Sequence, residues 1–180
     1  MPRIFTALEI PDDVSQLLSL LRGGVPGARW IDPENYHLTL RFIGDVDADV
    51  ANEVASILTR IERKSFELRL EGLSAFGGRK PRAIVANAAN TPALMELQAE
   101  HDRLIQRVGL EPEGRKYTPH VTLARTRDSS SWEVADYLAE RAAFRSMSFT
   151  VSRFVLYSSR ASVGGGPYVV EDAYPLSAQA

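Results

Sequence analysis

The chain of 180 residues is 44% hydrophobic and 24% charged, a balance that suits one globular domain, or two small lobes, with a sizeable core. Its 21 basic and 23 acidic residues leave a formal charge of −2, which excludes a global field able to draw in long nucleic acid. The absence of cysteine excludes disulfides, a thiolate nucleophile and cysteine metal sites.

The opening residues, Met-Pro-Arg-Ile-Phe-Thr-Ala-Leu-Glu-Ile-Pro, lack a signal-peptide core, and no apolar run is long enough to span a bilayer. The expectation is a cytoplasmic protein with no membrane association. In chain order, residues 3–10 read as a strand ended by Pro11, and Asp12 and Asp13 as caps of a helix whose apolar stripe is Val14, Leu17, Leu18 and Leu21. Gly23, Gly24, Pro26 and Gly27 break that helix, and residues 29–31 form a short strand before a turn at 32–35. A strand over 36–43 follows, closed by Gly44 and Asp45. Val50, Val54, Ile57, Leu58 and Ile61 mark an amphipathic helix, and residues 66–73 a half-exposed strand.

A turn-rich link at 77–81 leads to the same order again. Residues 82–88 read as a strand. Thr91-Pro92 opens a helix with the stripe Leu94, Leu97, His101, Leu104, Ile105 and Val108, ended by Gly109. A strand over 119–125, a serine-rich turn at 129–131, a helix over 132–143 and strands over 147–157 and 168–174 complete the chain. Each half therefore runs strand, helix, strand, helix, strand. This predicts an α+β fold of two pseudo-symmetric lobes, each with an antiparallel sheet and flanking helices, with the active-site cleft between them. The repeat covers about residues 1–76 and about 82–175, too long and too few in number for a solenoid.

The candidate site lies on the middle strand of each half. In Tyr36-His37-Leu38-Thr39-Leu40-Arg41-Phe42-Ile43, alternation puts His37, Thr39 and Arg41 on one face and Leu38, Leu40 and Phe42 on the core face. The pattern returns 83 residues later, where His120 and Thr122 share a face backed by Val121 and Leu123. Two of the three histidines thus open matching strands, while His101 sits on an apolar helical stripe and reads as structural. Two facing imidazoles can serve as general base and general acid near neutral pH, and threonine hydroxyls can hold a tetrahedral anion. That set suits hydrolysis of a phosphodiester, and a cyclic one carries its leaving oxygen within the substrate. Zinc would want three or four clustered ligands, which these motifs do not offer, so no metal and no cofactor are expected. The run Gly164-Gly165-Gly166 lacks the lysine and hydroxyl of a P-loop and reads as a flexible loop. Arg79, Lys80, Arg82, Arg115 and Lys116 flank turns, most of them solvated, with one or two able to steer a polyanion toward the cleft.

The stretches Tyr-His-Leu-Thr-Leu-Arg-Phe-Ile-Gly and Tyr-Thr-Pro-His-Val-Thr-Leu-Ala-Arg resemble the paired motifs of the two-histidine (2H) phosphoesterases. Among these they are most similar to the RNA 2′,3′-cyclic phosphodiesterases, historically called 2′-5′ RNA ligases. Residues 3–11, Trp30 and Tyr157-Ser158-Ser159 share the likeness, which covers nearly the whole chain. The resemblance implies a bilobal fold and metal-independent opening of a terminal 2′,3′-cyclic phosphate to a 2′-phosphate. It implies His37 as proton donor, His120 as proton acceptor, and Thr39 and Thr122 as phosphate-binding residues. The near-identity of the motifs leaves the donor and acceptor interchangeable on sequence physics alone. Arg125, Arg41 and Phe42 are possible substrate contacts, although ideal alternation points Arg125 away from His120 and makes Phe42 a core aromatic. The implied partners are RNA ends or small cyclic nucleotides, bound by a monomer. ATP-independent 2′-5′ ligation, hydrolysis of another small cyclic phosphodiester and RNA-end binding without turnover are the alternatives. Intact histidines in both motifs count against the last.

Overall fold

The computed structural model describes residues 3–159 and 167–178; the glycine run at 164–166, expected as a loop, lies outside the described residues. Strand β1 (Arg3–Glu9) is mostly buried and ends before Pro11. Pro11 itself is the N-cap of α1 (Asp12–Ser19), so Asp12 and Asp13 stand inside the first turn and not at the cap. Their charges still complement the helix dipole from there. Helix α2 (Ala48–Ile57) is capped by Asp47, whose carboxylate accepts from the Val50 amide at 2.9 Å. Helix α3 (Pro92–Arg107) begins with Pro92 as expected. Helix α4 (Ser131–Glu140) opens on a reciprocal cap: Ser130 Oγ accepts from the Glu133 amide at 3.3 Å and donates to its carboxylate at 2.6 Å.

The remaining strands are β2 (Arg29–Trp30), β3 (His37–Asp45), β4 (Phe66–Leu68), β5 (Leu70–Phe76), β6 (Ala83–Ala88), β7 (His120–Arg125), β8 (Phe149–Val151), β9 (Arg153–Ser159) and β10 (Tyr168–Pro175). They order as β10-β9-β1-β3-β7-β6-β5, with β2 added on β7, and every ladder is antiparallel. The β10-β9-β1-β3 lobe meets the β7-β6-β5 lobe through one registered pair, Leu38 with Val121.

The strands expected over 66–73 and 147–157 are each broken in two. Their first parts, β4 and β8, pair with each other as a separate two-stranded sheet. Beyond the breaks, β5 crosses to β6 and β9 crosses to β1. The two halves of the chain thus exchange their closing strands, and each lobe is built from both halves.

One contiguous apolar core backs these strands, with Val14 and Leu18 from α1, Val54 from α2, Leu94, Leu97 and Ile105 from α3, and Val134 and Tyr137 from α4. His101 is fully buried in it, with Nδ1 2.8 Å from the Leu97 carbonyl and its ring 4.6 Å from that of Phe154, in the structural role expected of it. Among the described residues no helix is long and apolar enough to cross a membrane.

Candidate active site

The Leu38–Val121 pair fixes the site. Both residues are fully buried, so the residues on either side of each point the other way. Carried one step along antiparallel strands, the register sets His37 beside Thr122 and Thr39 beside His120. The two histidines are then diagonal neighbours, about 7–8 Å apart and somewhat closer at Cβ, a gap that one phosphate can fill. Each Nδ1 faces the carbonyl two residues upstream: His37 that of Asn35 at 3.0 Å, and His120 that of Thr118 at 2.7 Å. An Nδ1–H held by a carbonyl leaves Nε2 as the nitrogen free to exchange protons with a ligand. Tyr117 supports this arrangement by donating its hydroxyl hydrogen to the Thr39 carbonyl at 2.7 Å.

The histidines sit in unlike surroundings. His37 is boxed by aromatic rings, with centroids 5.0 Å from Phe5, 5.0 Å from Tyr168 and 6.0 Å from Tyr157. Burial lowers its pKa, the charges of His120 and Arg125 add to that, and the Asn35 carbonyl opposes it. His120 stands on the wall of the open cleft with Phe76 edge-on at 4.6 Å. Its pKa is lowered first by burial and then by Arg125, against the Thr118 carbonyl.

Beyond the threonines, strict alternation fails in both strands at the same place. On β3 the pairing with β1 skips Leu40, and on β7 the pairing with β6 skips Leu123. The first six residues of both strands share one burial pattern: half-buried, buried, half-buried, buried, buried, exposed. Each bulge inserts one residue and flips the two residues that follow it. Two expectations are thereby corrected. Arg41 turns inward, where Nε meets Asp102 at 3.0 Å, Nη1 meets the Phe42 carbonyl at 2.6 Å and Nη2 meets the Glu111 carbonyl. Its guanidinium is committed to Asp102 and to the 111–113 segment, while the residue still lines the cleft. Phe42 turns outward and is 49% exposed, so it is not a core aromatic. Arg125 holds the position on β7 that Phe42 holds on β3, and its bulge supplies the twist needed to bring it to the site.

The cleft encloses about 1240 Å3 and includes Thr39, His120 and Thr122 in its walls, whereas His37 is not part of its lining. It carries eight arginine or lysine side chains against two acidic ones, Glu113 and Asp128. The field that the whole chain lacks is therefore concentrated here. Of the basic residues expected at turns, Arg82, Arg115 and Lys116 line the cleft, and Arg79 and Lys80 are not part of its lining. Among the described residues no group of three or more His, Asp or Glu side chains is arranged to hold a metal, and the four motif side chains are two imidazoles and two hydroxyls.

The family profile of LigT-like phosphoesterases matches this chain twice, over residues 8–86 and 85–168. The chain belongs to the LigT-like phosphoesterase family. It is 33% identical over 177 residues to an RNA 2′,3′-cyclic phosphodiesterase of Thermotoga maritima, covering 93% of this chain and 92% of that one. A protein of the same name from Aeropyrum pernix is 37% identical over 111 residues, 61% of this chain and 62% of that one. The fold is similar to TT0787 of Thermus thermophilus, with a TM-score of 0.82 at 21% identity over 99% of this chain and 100% of that one. It is likewise similar to Escherichia coli LigT complexed with 3′-AMP, with a TM-score of 0.80 at 24% identity over 98% and 99%.

In this LigT-like phosphoesterase several residues at the site lie outside the two His-x-Thr motifs. Phe5, Tyr157 and Tyr168 reach His37 from strands distant in sequence, and Phe76 reaches His120 from the exchanged strand β5. Arg29 is registered opposite Arg125 by the short strand β2. Gly27 lets that strand approach: at φ +80°, a Cβ there would stand 2.3 Å from the Asp128 carbonyl oxygen.

Proposed function

We propose that this protein is a metal-independent RNA 2′,3′-cyclic phosphodiesterase that opens a terminal 2′,3′-cyclic phosphate to a 2′-phosphate. The single observation that carries the reading is the Leu38–Val121 register, which sets His37 beside Thr122 and Thr39 beside His120 on one face. The similarity to the Thermotoga maritima enzyme over almost the whole of both chains supports the same activity. Water attacks phosphorus and gives its proton to His120 Nε2. The P–O3′ bond breaks, its electron pair stays on O3′, and His37 Nε2 protonates that oxygen. Thr39 and Thr122 donate hydrogen bonds to the non-bridging oxygens as charge builds on them. The products are a 2′-phosphate monoester and a free 3′-hydroxyl.

The unlike surroundings of the two histidines support these roles. His120 faces the open cleft, from which water arrives, and His37 lies among aromatic rings that shelter a leaving oxygen. The chain acts as one phosphoesterase domain with an internal repeat, and the two matches to the family profile support that reading. Both histidine strands come from one chain, so a monomer suffices, and RNA ends place its work in the cytoplasm. The test is phosphorus NMR of the product from a cyclic-phosphate-ended oligonucleotide. A 2′-phosphate is expected; a 3′-phosphate or no turnover would contradict the reading.

A further inference from the structure

Next to the motif residues lies a group of four arginines that proton transfer does not use. Arg125 ends β7, three residues beyond Thr122, a separation of about 10 Å at full strand rise and less across the bulge. Arg29 is its registered neighbour on β2. Arg82 immediately precedes Ala83, the registered neighbour of Arg125 on β6, and its carbonyl accepts from the Thr126 amide at 2.9 Å. Arg127 follows two residues on. All four side chains line the cleft, and all four residues are exposed.

Like charges placed so closely repel one another. Partial desolvation within the cleft and the charges of Arg29, Arg127 and Arg82 lower the pKa of Arg125, with Tyr168 acting in the other direction. Elsewhere in the molecule the usual remedy is a carboxylate: Arg3 has Asp45, Arg41 has Asp102, Arg63 has Glu100 and Arg153 has Glu9. Among the described residues none of the four cleft arginines forms an ion pair, although the exposed Asp128 also lines the cleft. Four guanidinium groups converging without a protein anion form a site for an anion supplied by the ligand.

We infer that Arg29, Arg82, Arg125 and Arg127 form a second-phosphate subsite, which takes the phosphate on the 5′ oxygen of the same nucleoside whose 2′,3′ end meets the histidines. The inference rests on the proposed phosphodiesterase reading for its choice of ligand. A single nucleoside bridges the two positions. The same chemistry has two sources, an internal phosphodiester of an oligonucleotide or a 5′-monophosphate on a lone nucleotide. A subsite of this kind favours RNA ends over free cyclic nucleotides.

Binding tests the subsite independently of turnover. Titration calorimetry compares adenosine 2′-phosphate, adenosine 2′,5′-bisphosphate and a dinucleotide ending in a 2′-phosphate. The bisphosphate and the dinucleotide should both bind at least about tenfold more tightly than the monophosphate, as expected for added charge-assisted hydrogen bonds. The bisphosphate should also show a steeper salt dependence, because salt screens the added charge–charge contacts. Arg29→Gln and Arg127→Gln should each shrink the bisphosphate-to-monophosphate ratio about tenfold or more. Arg79→Gln, exposed and outside the cleft lining, should leave the ratio unchanged. A ratio near one in the wild type overturns the subsite, and so does tight binding of the dinucleotide alone, because a second nucleoside is then being read. A preserved ratio in both cleft variants overturns it as well. Hydrolysis of a cyclic-phosphate-ended oligonucleotide is assayed alongside: turnover with no phosphate preference sinks only the subsite, and preference without turnover sinks only the phosphodiesterase reading.

Discussion

Leu38 on β3 faces Val121 on β7, and this one buried pair joins the two lobes and aligns both His-x-Thr motifs on the opposite face. Because side chains alternate along a strand, burying the middle residue of each motif exposes the histidine and threonine beside it. Packing and chemistry are therefore set by the same contact.

The threonines should be catalytic and not structural. Thr39→Ala and Thr122→Ala should each lower kcat/KM about ten- to a hundredfold, the effect of losing one hydroxyl donor to a charged acceptor. Both variants should melt near the wild-type temperature, and the matching serine variants should recover most of the rate. Rates within twofold of wild type in both alanine variants would remove the hydroxyls from the mechanism.

The bulges make an unlike prediction for two adjacent residues. Phe42→Ala should cost well under the 3–5 kcal/mol typical of a buried phenylalanine, because Phe42 is half exposed. Arg41→Ala should cost about 3 kcal/mol, because it strands Asp102 beside a largely buried site. Urea unfolding of the two variants checks the order, which strict alternation would reverse.

Much of this was legible in the sequence. The paired motifs, the helical stripes and the turn chemistry of Pro92 and Ser130 each follow from local spacing. The bulges were not legible, because His-Leu-Thr-Leu-Arg-Phe reads as unbroken alternation and only the pairing with β1 shows Leu40 to be the extra residue. The exchange of β5 and β9 between lobes was hidden for a similar reason. It depends on short breaks after Leu68 and Val151 that no glycine or proline marks. The basic cleft was masked by the overall charge of −2, which averages the cleft with the acidic remainder of the surface.

His101 predicts an acid-sensitive fold. Its pKa is lowered from 6.5 to about 4, first by burial. The unfolded chain therefore binds a proton that the folded chain refuses between those values. Stability should be full above about pH 6.5 and should fall as pH drops toward 4, by up to about 3 kcal/mol from this residue. His101→Gln, which cannot titrate, should flatten that slope in melting temperature against pH while leaving kcat within about twofold. An unchanged slope would remove His101 as its cause.

Arg125 should tune the catalytic pair. Its charge lowers the pKa of both His37 and His120. Arg125→Gln should thus shift both limbs of the kcat/KM profile toward higher pH as well as weaken binding. A weaker enzyme with an unshifted profile would assign Arg125 to binding alone.

The most direct measurement is kcat/KM across pH for wild type, His37→Ala and His120→Ala on a 2′,3′-cyclic nucleotide in excess chelator. With both histidines lowered from their ordinary value of about 6.5, the free enzyme should give a bell centred below pH 6.5. His120→Ala should lose the acid limb and His37→Ala the alkaline limb, each at a cost of about 10²–10⁴ in rate. Loss of the opposite limb in each variant would reverse the donor and acceptor roles. A full bell at full rate in either variant, or activity abolished by the chelator and restored by a metal ion, would contradict the two-histidine mechanism.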